Sequence, residues 1–147
     1  MPFNLRVRIE ASSDKVFDAI ANSIQDWWGI TKGESNKPGG EFYTTFKPTK
    51  WTFRVDVFEE NRLIVWDCIE AYHVHSGYEG IEKEWLGSKI SWELEEVGNS
   101  TQLRFSHDGL EPNLNCYEIC TPAWEMFVTQ SLKAFVESGK GMPAYFE

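Results

Sequence analysis

At 147 residues, with 23 acidic against 14 basic side chains and a formal net charge of −9, the chain sets aside nucleic acid and anionic membrane surfaces as partners, because like charges would oppose the contact. The length suits a single domain over residues 1–147, large enough to bury roughly 70% of its unfolded surface. Seven Trp, ten Phe and five Tyr supply a core of large pieces, and bulky rings seldom tile a small interior completely, so an aromatic-walled cavity is expected beside that core.

In chain order, Phe3, Leu5, Val7 and Ile9 alternate with polar residues and predict a half-buried strand. No charged leader with an apolar stretch precedes it, and no run approaches 18 apolar residues. The three cysteines are an odd set for a secreted framework, so the expected location is cytoplasmic. Ala11-Ser12-Ser13-Asp14 offers an N-cap, with Asp14 near the positive end of the helix dipole. Val16, Phe17, Ile20 and Ala21 form the buried face of that short helix. A second helical turn carries Ile24 to Trp28 and ends at Gly29.

Residues 30–40 are polar and close in the turn Lys37-Pro38-Gly39-Gly40. Phe42, Thr44 and Phe46 alternate until Pro48 breaks the run. Trp51, Phe53, Val55 and Val57 share a face, and Glu59-Glu60-Asn61 turns the chain. Residues 63–69 are apolar on both parities and predict a central strand without fixing its facing, while residues 71–84 carry no clear pattern. Ile90, Trp92 and Leu94 mark a strand over 88–95, and Val97-Gly98-Asn99-Ser100 a hairpin turn. Thr101, Leu103, Phe105 and His107 share a face on the strand closed by Asp108-Gly109. Thr121-Pro122 reads as N-cap and N1 of a last helix, and Gly139 and Gly141 as its stop signals. Its stripe of Trp124, Phe127, Val128, Ser131, Leu132, Phe135 and Val136 spans roughly 25 Å at 1.5 Å per residue. Strand, two short helices, meander and long helix predict an α+β helix-grip fold, a curved antiparallel sheet wrapped around a long C-terminal helix.

Several segments resemble the activator of heat-shock-protein ATPase homologue family, within the START-like (SRPBCC), polyketide-cyclase-like helix-grip superfamily. The N-terminal likeness is Ile9-Glu10-Ala11-Ser12-Ser13-Asp14-Lys15-Val16-Phe17-Asp18-Ala19-Ile20 with Trp27-Trp28. The middle one is Phe53-Arg54-Val55 and Arg62-Leu63-Ile64-Val65-Trp66. The C-terminal one is Glu84-Trp85-Leu86-Gly87-Ser88-Lys89-Ile90 and Phe105-Ser106-His107-Asp108-Gly109-Leu110, then Cys116-Tyr117, Cys120, Trp124, Ser131-Leu132-Lys133 and Gly139-Lys140-Gly141-Met142-Pro143. The likeness spans essentially the whole chain and is similar to small single-domain bacterial members. Pro122 departs from their continuous helix, which implies a helix that starts at 122 or kinks there.

Four groups of residues bear on chemistry. His73 and His75 share a strand face, and with Cys68, Cys116 or Cys120 a zinc site is conceivable, but the spacing matches no established closed site, so no metal is assigned. Cys116 and Cys120, one helical turn apart, read as buried thiols, with a redox pair as the alternative. His107 either holds the Asp108-Gly109 turn or orients a ligand as a polar group or base. Asp67 and Glu70 suit acid–base work if they face a cavity, and a solvated sheet face if not. The chain lacks a nucleophile elbow, a phosphate-binding glycine loop and an HExxH motif.

The leading expectation is a module that binds a small apolar or aromatic molecule between sheet and helix, with no cofactor. The expected walls are Trp28, Phe42, Phe53, Trp66, Trp92, Phe105, Trp124 and Phe127, and the expected polar groups His107 and Tyr117. The resemblance implies an alternative, a co-chaperone-like regulator with a heat-shock ATPase as partner. A third reading is a cyclase, dehydratase or hydrolase acting on a hydrophobic substrate, since the fold itself does not fix function.

Overall fold

Period-two alternation in the first residues becomes strand β1, Phe3–Ile9, in a computed structural model that describes residues 3–144. Helix α1, Ser13–Asn22, and helix α2, Ile24–Trp27, follow. Strands β2 (Ile30–Gly33), β3 (Glu41–Phe46), β4 (Thr49–Glu59), β5 (Leu63–Tyr72), β6 (Lys89–Val97) and β7 (Ser100–Asp108) come next. They form one antiparallel sheet in the order β1-β7-β6-β5-β4-β3-β2. Part of the segment expected to be a polar turn is therefore β2, whose Ile30 and Thr31 pair with Thr45 and Thr44.

Cross-strand register places the large apolar residues opposite one another: Leu5 on Phe105, Trp92 on Phe105, Trp66 on Ile90 and Phe42 on Phe53. The register of β4 against β5 slips twice, between Thr52 and Phe53 and between Val55 and Val57. Such bulges bend a strand and increase its twist, which curves the sheet around the C-terminal helix. The facing of β5 was open in sequence because Leu63, Val65 and Ile69, on its outer side, are apolar as well. Ile64, Trp66 and Cys68 point inward, the parity then changes, and Ala71 is the next buried residue.

Helix α3, Tyr117–Met126, runs into a π-helical segment, Phe127–Leu132, and then helix α4, Lys133–Ser138. Pro122 is inside α3 rather than at its first position, so the expected start at Thr121-Pro122 is wrong by one turn. Glu84 takes over the capping role, its carboxylate accepting the backbone N–H groups of Asn115 (2.9 Å) and Cys116 (3.0 Å). Similarly, Glu96 accepts the Ser13 N–H at the start of α1 (3.0 Å), while the Ser12 hydroxyl turns to Asp14 instead.

In the π-helical segment Phe127, Val128, Ser131 and Leu132 face the core, whereas Phe135 and Val136 beyond it are only half-buried. The wide turn coincides with Ser131, whose hydroxyl donates to the Trp27 carbonyl (2.7 Å) and accepts the Met142 N–H (2.7 Å). Gly139 ends α4 in the left-handed conformation, φ 85°. Gly141 does a different job from the expected stop: a Cβ there would meet the Asp26 carbonyl oxygen at 2.5 Å. Its lack of a side chain lets the last described residues return along α2, where the Ala144 N–H reaches the Trp28 carbonyl (2.9 Å).

Candidate functional site

The sheet's inner face, α2 and α3 bring nearly all the tryptophans together, but the network divides into two parts. Phe42, Phe53, Trp66, Trp92 and Phe105, all expected as pocket walls, are sealed in packed core. Trp66 and Trp92 have ring centres 5.2 Å apart, Trp92 and Phe105 4.8 Å, and Phe42 and Phe53 5.4 Å. These contacts leave them no free face, and none of them lines the cavity described next.

That cavity, about 520 Å³, lies at the other end of the network. Of the residues proposed as walls, Trp28, Trp124 and Phe127 line it; its other aromatic walls are Phe46, Trp51 and Trp85. Four of the indoles are nearly parallel. Trp28 and Trp51 meet at 7°, Trp51 and Trp85 at 11° with centres 3.9 Å apart, and Trp85 and Trp124 at 12°. Lys47, Val74, His75 and Ser76 form an exposed rim, and Ile119, Ala123 and Met126 of α3 complete the mouth. Half-buried Tyr117 is on the same helix and does not line the cavity.

His107 is fully buried and outside the cavity lining. The Trp124 indole N–H donates to its Nδ1 (3.0 Å), which puts the ring proton on Nε2, 2.8 Å from Ser88 Oγ. Ser88 in turn donates to the Trp85 carbonyl (2.6 Å). Burial pushes the imidazole pKa down to about 3. With both nitrogens occupied and the ring neutral, His107 fixes Trp124 and Trp85, two cavity walls, and has no lone pair left for a substrate. Asp67 and Glu70 also lie elsewhere: Asp67 pairs with Arg54 (2.8 Å), and Glu70 is exposed.

Trp51, Trp85 and His73 line this cavity; the Trp51 indole N–H and His73 Nδ1 are buried without a hydrogen-bond partner, while the Trp85 N–H is directed at the Cys120 sulfur. A buried donor left unpaired costs about 1–3 kcal/mol, which an acceptor on a ligand would recover. Sequence reasoning weighed His73 only as a metal ligand, and it did not place Trp85, just past the patternless residues 71–84, or Trp51, whose strand face alone did not show where the cavity lies.

The same wall brings together a ring nitrogen of His73 and the Sγ atoms of Cys116 and Cys120, all within 4.8 Å of one another. A hydrogen bond from Cys120 holds the Cys116 thiol at about 6, well below its ordinary value, with the His73 ring acting in the same direction, while the same bond and burial raise Cys120. Cys68 stands apart, donating to the Glu70 carbonyl, and burial pushes it up to about 12. His75 is exposed, with Nδ1 on the Ser76 carbonyl.

The family model described as Activator of Hsp90 ATPase homolog 1-like protein matches residues 10–137. A solution structure of the Aha1 dimer from Colwellia psychrerythraea superposes with a TM-score of 0.76 at 26% identity, over 96% of this chain and 99% of that one. DynU16, from the dynemicin biosynthetic locus, gives 0.73 at 18% identity, over 95% of this chain and 48% of its own. CalU16 from Micromonospora echinospora gives 0.67 at 22%, over 96% and 76%. These last two likenesses speak for the helix-grip fold. A comparison with curated proteins gave no match. Among the described residues no helix is long and apolar enough to cross a membrane.

Proposed function

We propose that this chain, which belongs to the activator of Hsp90 ATPase homolog 1-like family, binds a flat aromatic molecule bearing a hydrogen-bond acceptor. The supporting observation is a cavity of about 520 Å³ whose tryptophan walls include a buried, unpartnered N–H donor, on Trp51. A volume between about 300 and 1,000 Å³, mostly apolar with few polar groups, suits a small-molecule site. Parallel indoles give a planar ligand stacking faces, and the free Trp51 N–H gives it an orientation.

Native against denaturing mass spectrometry on freshly purified protein tests for a resident ligand. Titration with 2-naphthol and with naphthalene, followed by tryptophan fluorescence, tests the site itself. Both bind under this reading, 2-naphthol the tighter because its oxygen accepts an indole N–H, and Trp51→Ala abolishes the response. A bare native mass together with flat titrations sinks the proposal.

The family match favours a second reading, regulation of a heat-shock ATPase. Stimulation of such an ATPase that survives Trp51→Ala would establish that role as separate from the cavity. The enzymatic reading has less support: none of the described residues lining the cavity is a carboxylate, and His107 is committed to two neighbouring side chains.

A further inference from the structure

His73, Cys116 and Cys120 are far apart in sequence or spaced without a recognised pattern, yet the fold gathers their donor atoms within 4.8 Å. We propose that these three side chains bind a zinc-type divalent cation, with its fourth coordination position open to the aromatic cavity.

Three observations carry this assignment. The first is donor chemistry: two thiol sulfurs and one imidazole nitrogen are a ligand set for tetrahedral zinc, and three protein ligands with one open position is the arrangement of catalytic rather than structural sites. Zinc with Zn–S near 2.3 Å and Zn–N near 2.0–2.1 Å holds its donors roughly 3.5–3.8 Å apart. Separations of at most 4.8 Å therefore close by about 1.3 Å or less, within the reach of side-chain rotations.

The second observation is the His73 ring. It is 6% exposed, and its Nδ1 is buried with no hydrogen-bond partner. Buried polar atoms in native proteins are nearly always paired. The ring is held in place by its backbone, whose N–H donates to the Glu82 carbonyl (3.1 Å), and by packing on Trp51, 4.9 Å between ring centres.

The third is the surrounding shell. Glu84 holds the backbone of Asn115 and Cys116 through both carboxylate oxygens, so one side chain fixes the start of α3 and puts negative charge beside the thiols. Two thiolates and a neutral imidazole balance a dication, and the Glu84 carboxylate adds a favourable field. Binding needs both sulfurs as thiolates, so any thiol proton is released to solvent and every oxidation state is unchanged. His73 and Cys120 also line the cavity, which is why the fourth position falls there and not inside packed core.

The test is cobalt(II) titration of metal-free, reduced protein with no organic ligand present. The expected result is a one-to-one endpoint, with visible bands of tetrahedral cobalt and a near-ultraviolet sulfur-to-cobalt band, all erased by added zinc. Cys116→Ser and Cys120→Ser each weaken binding about 100-fold or more, and Glu84→Gln, which spares all three ligands, about 10- to 100-fold. Cys68→Ala leaves the titration unchanged. Absence of the sulfur-to-cobalt band in the wild-type protein, or its persistence in folded Cys116→Ser and Cys120→Ser variants, overturns the site. Should a cysteine variant fail to fold, His73→Gln decides: unchanged affinity and an unchanged spectrum overturn the site, and weakening of tenfold or more with altered visible bands supports it. The cobalt readout and the naphthol titration are independent, so failure of the metal site and failure of the cavity reading are told apart.

Discussion

Burial without a counter-charge drives the His107 imidazole from 6.5 to about 3, so the folded protein holds it neutral while the unfolded chain protonates it below about 6.5. The unfolded state binds the extra proton across that window. Stability from this group is therefore complete above pH 6.5 and is lost as pH falls toward about 3. Glu10, Asp14, Asp56 and Glu137 also have lowered values, but from 4.5 or 3.8, so their losses begin at lower pH. Urea melts between pH 7 and pH 5 should consequently show a falling midpoint that belongs largely to His107. In His107→Phe that slope should flatten, while stability at pH 7 drops by about 1–3 kcal/mol for the Trp124 N–H left unpaired, Ser88 keeping its bond to the Trp85 carbonyl. An unaltered slope in the variant would refute a neutral buried imidazole. At the same scale, Phe105 is 1% exposed, and Phe105→Asp should cost several kcal/mol by burying an unpaired charge, read as a collapse of the thermal midpoint.

At the scale of elements, α3 contains the strongest local conflict. Pro122 lies within Tyr117–Met126 and has no N–H for the Glu118 carbonyl, and its ring crowds that same turn. Pro122→Ala should stabilise the protein by about 1–3 kcal/mol, measured by denaturant midpoint at constant slope; a loss would mean that the helix depends on the proline. The position of this helix also shows what sequence patterning reaches. Strand alternation in β1, β6 and β7 was legible because a half-buried strand writes its facing with period two. The stripe on the last helix was legible for the matching reason at period 3.6. Its true start was not: Pro122 is a good first residue by propensity, whereas the cap is Glu84, more than 30 residues away. The π-helical turn is likewise set by Ser131 reaching Trp27 and Met142, contacts without a local signature. That residues between 73 and 85 wall a cavity was out of reach on the same ground, since irregular backbone leaves no periodicity to read, although His73 and His75 stood out by residue type. Even Gly141, correctly singled out, was assigned the wrong reason, because close approach to Asp26 is tertiary information.

Over the whole molecule, one continuous aromatic network performs two tasks, filling the core at the Trp66–Trp92–Phe105 end and walling a cavity at the Trp28–Trp51–Trp85 end. His107 joins them, since it contacts Trp124, which stacks on both Trp28 and Trp85. This continuity raises the question of whether stability and binding can be separated by substitution, and the packing says that they can. Trp92 is enclosed on all sides, so Trp92→Phe should remove packed atoms and cost about 1–3 kcal/mol. Trp51 already borders empty volume, so Trp51→Ala forfeits fewer contacts than the same truncation in the core. Ligand-linked stabilisation should divide the opposite way. With 2-naphthol at 100 times its Kd, the native state gains about 2.7 kcal/mol, which for a chain of this size raises Tm by roughly 5–11 °C. Trp92→Phe should melt lower than wild type and keep that rise, whereas Trp51→Ala should lose it. Calorimetric scans of the two variants with and without ligand decide the matter: a rise that disappears in Trp92→Phe and survives in Trp51→Ala would place the ligand in the core and overturn the division of the network.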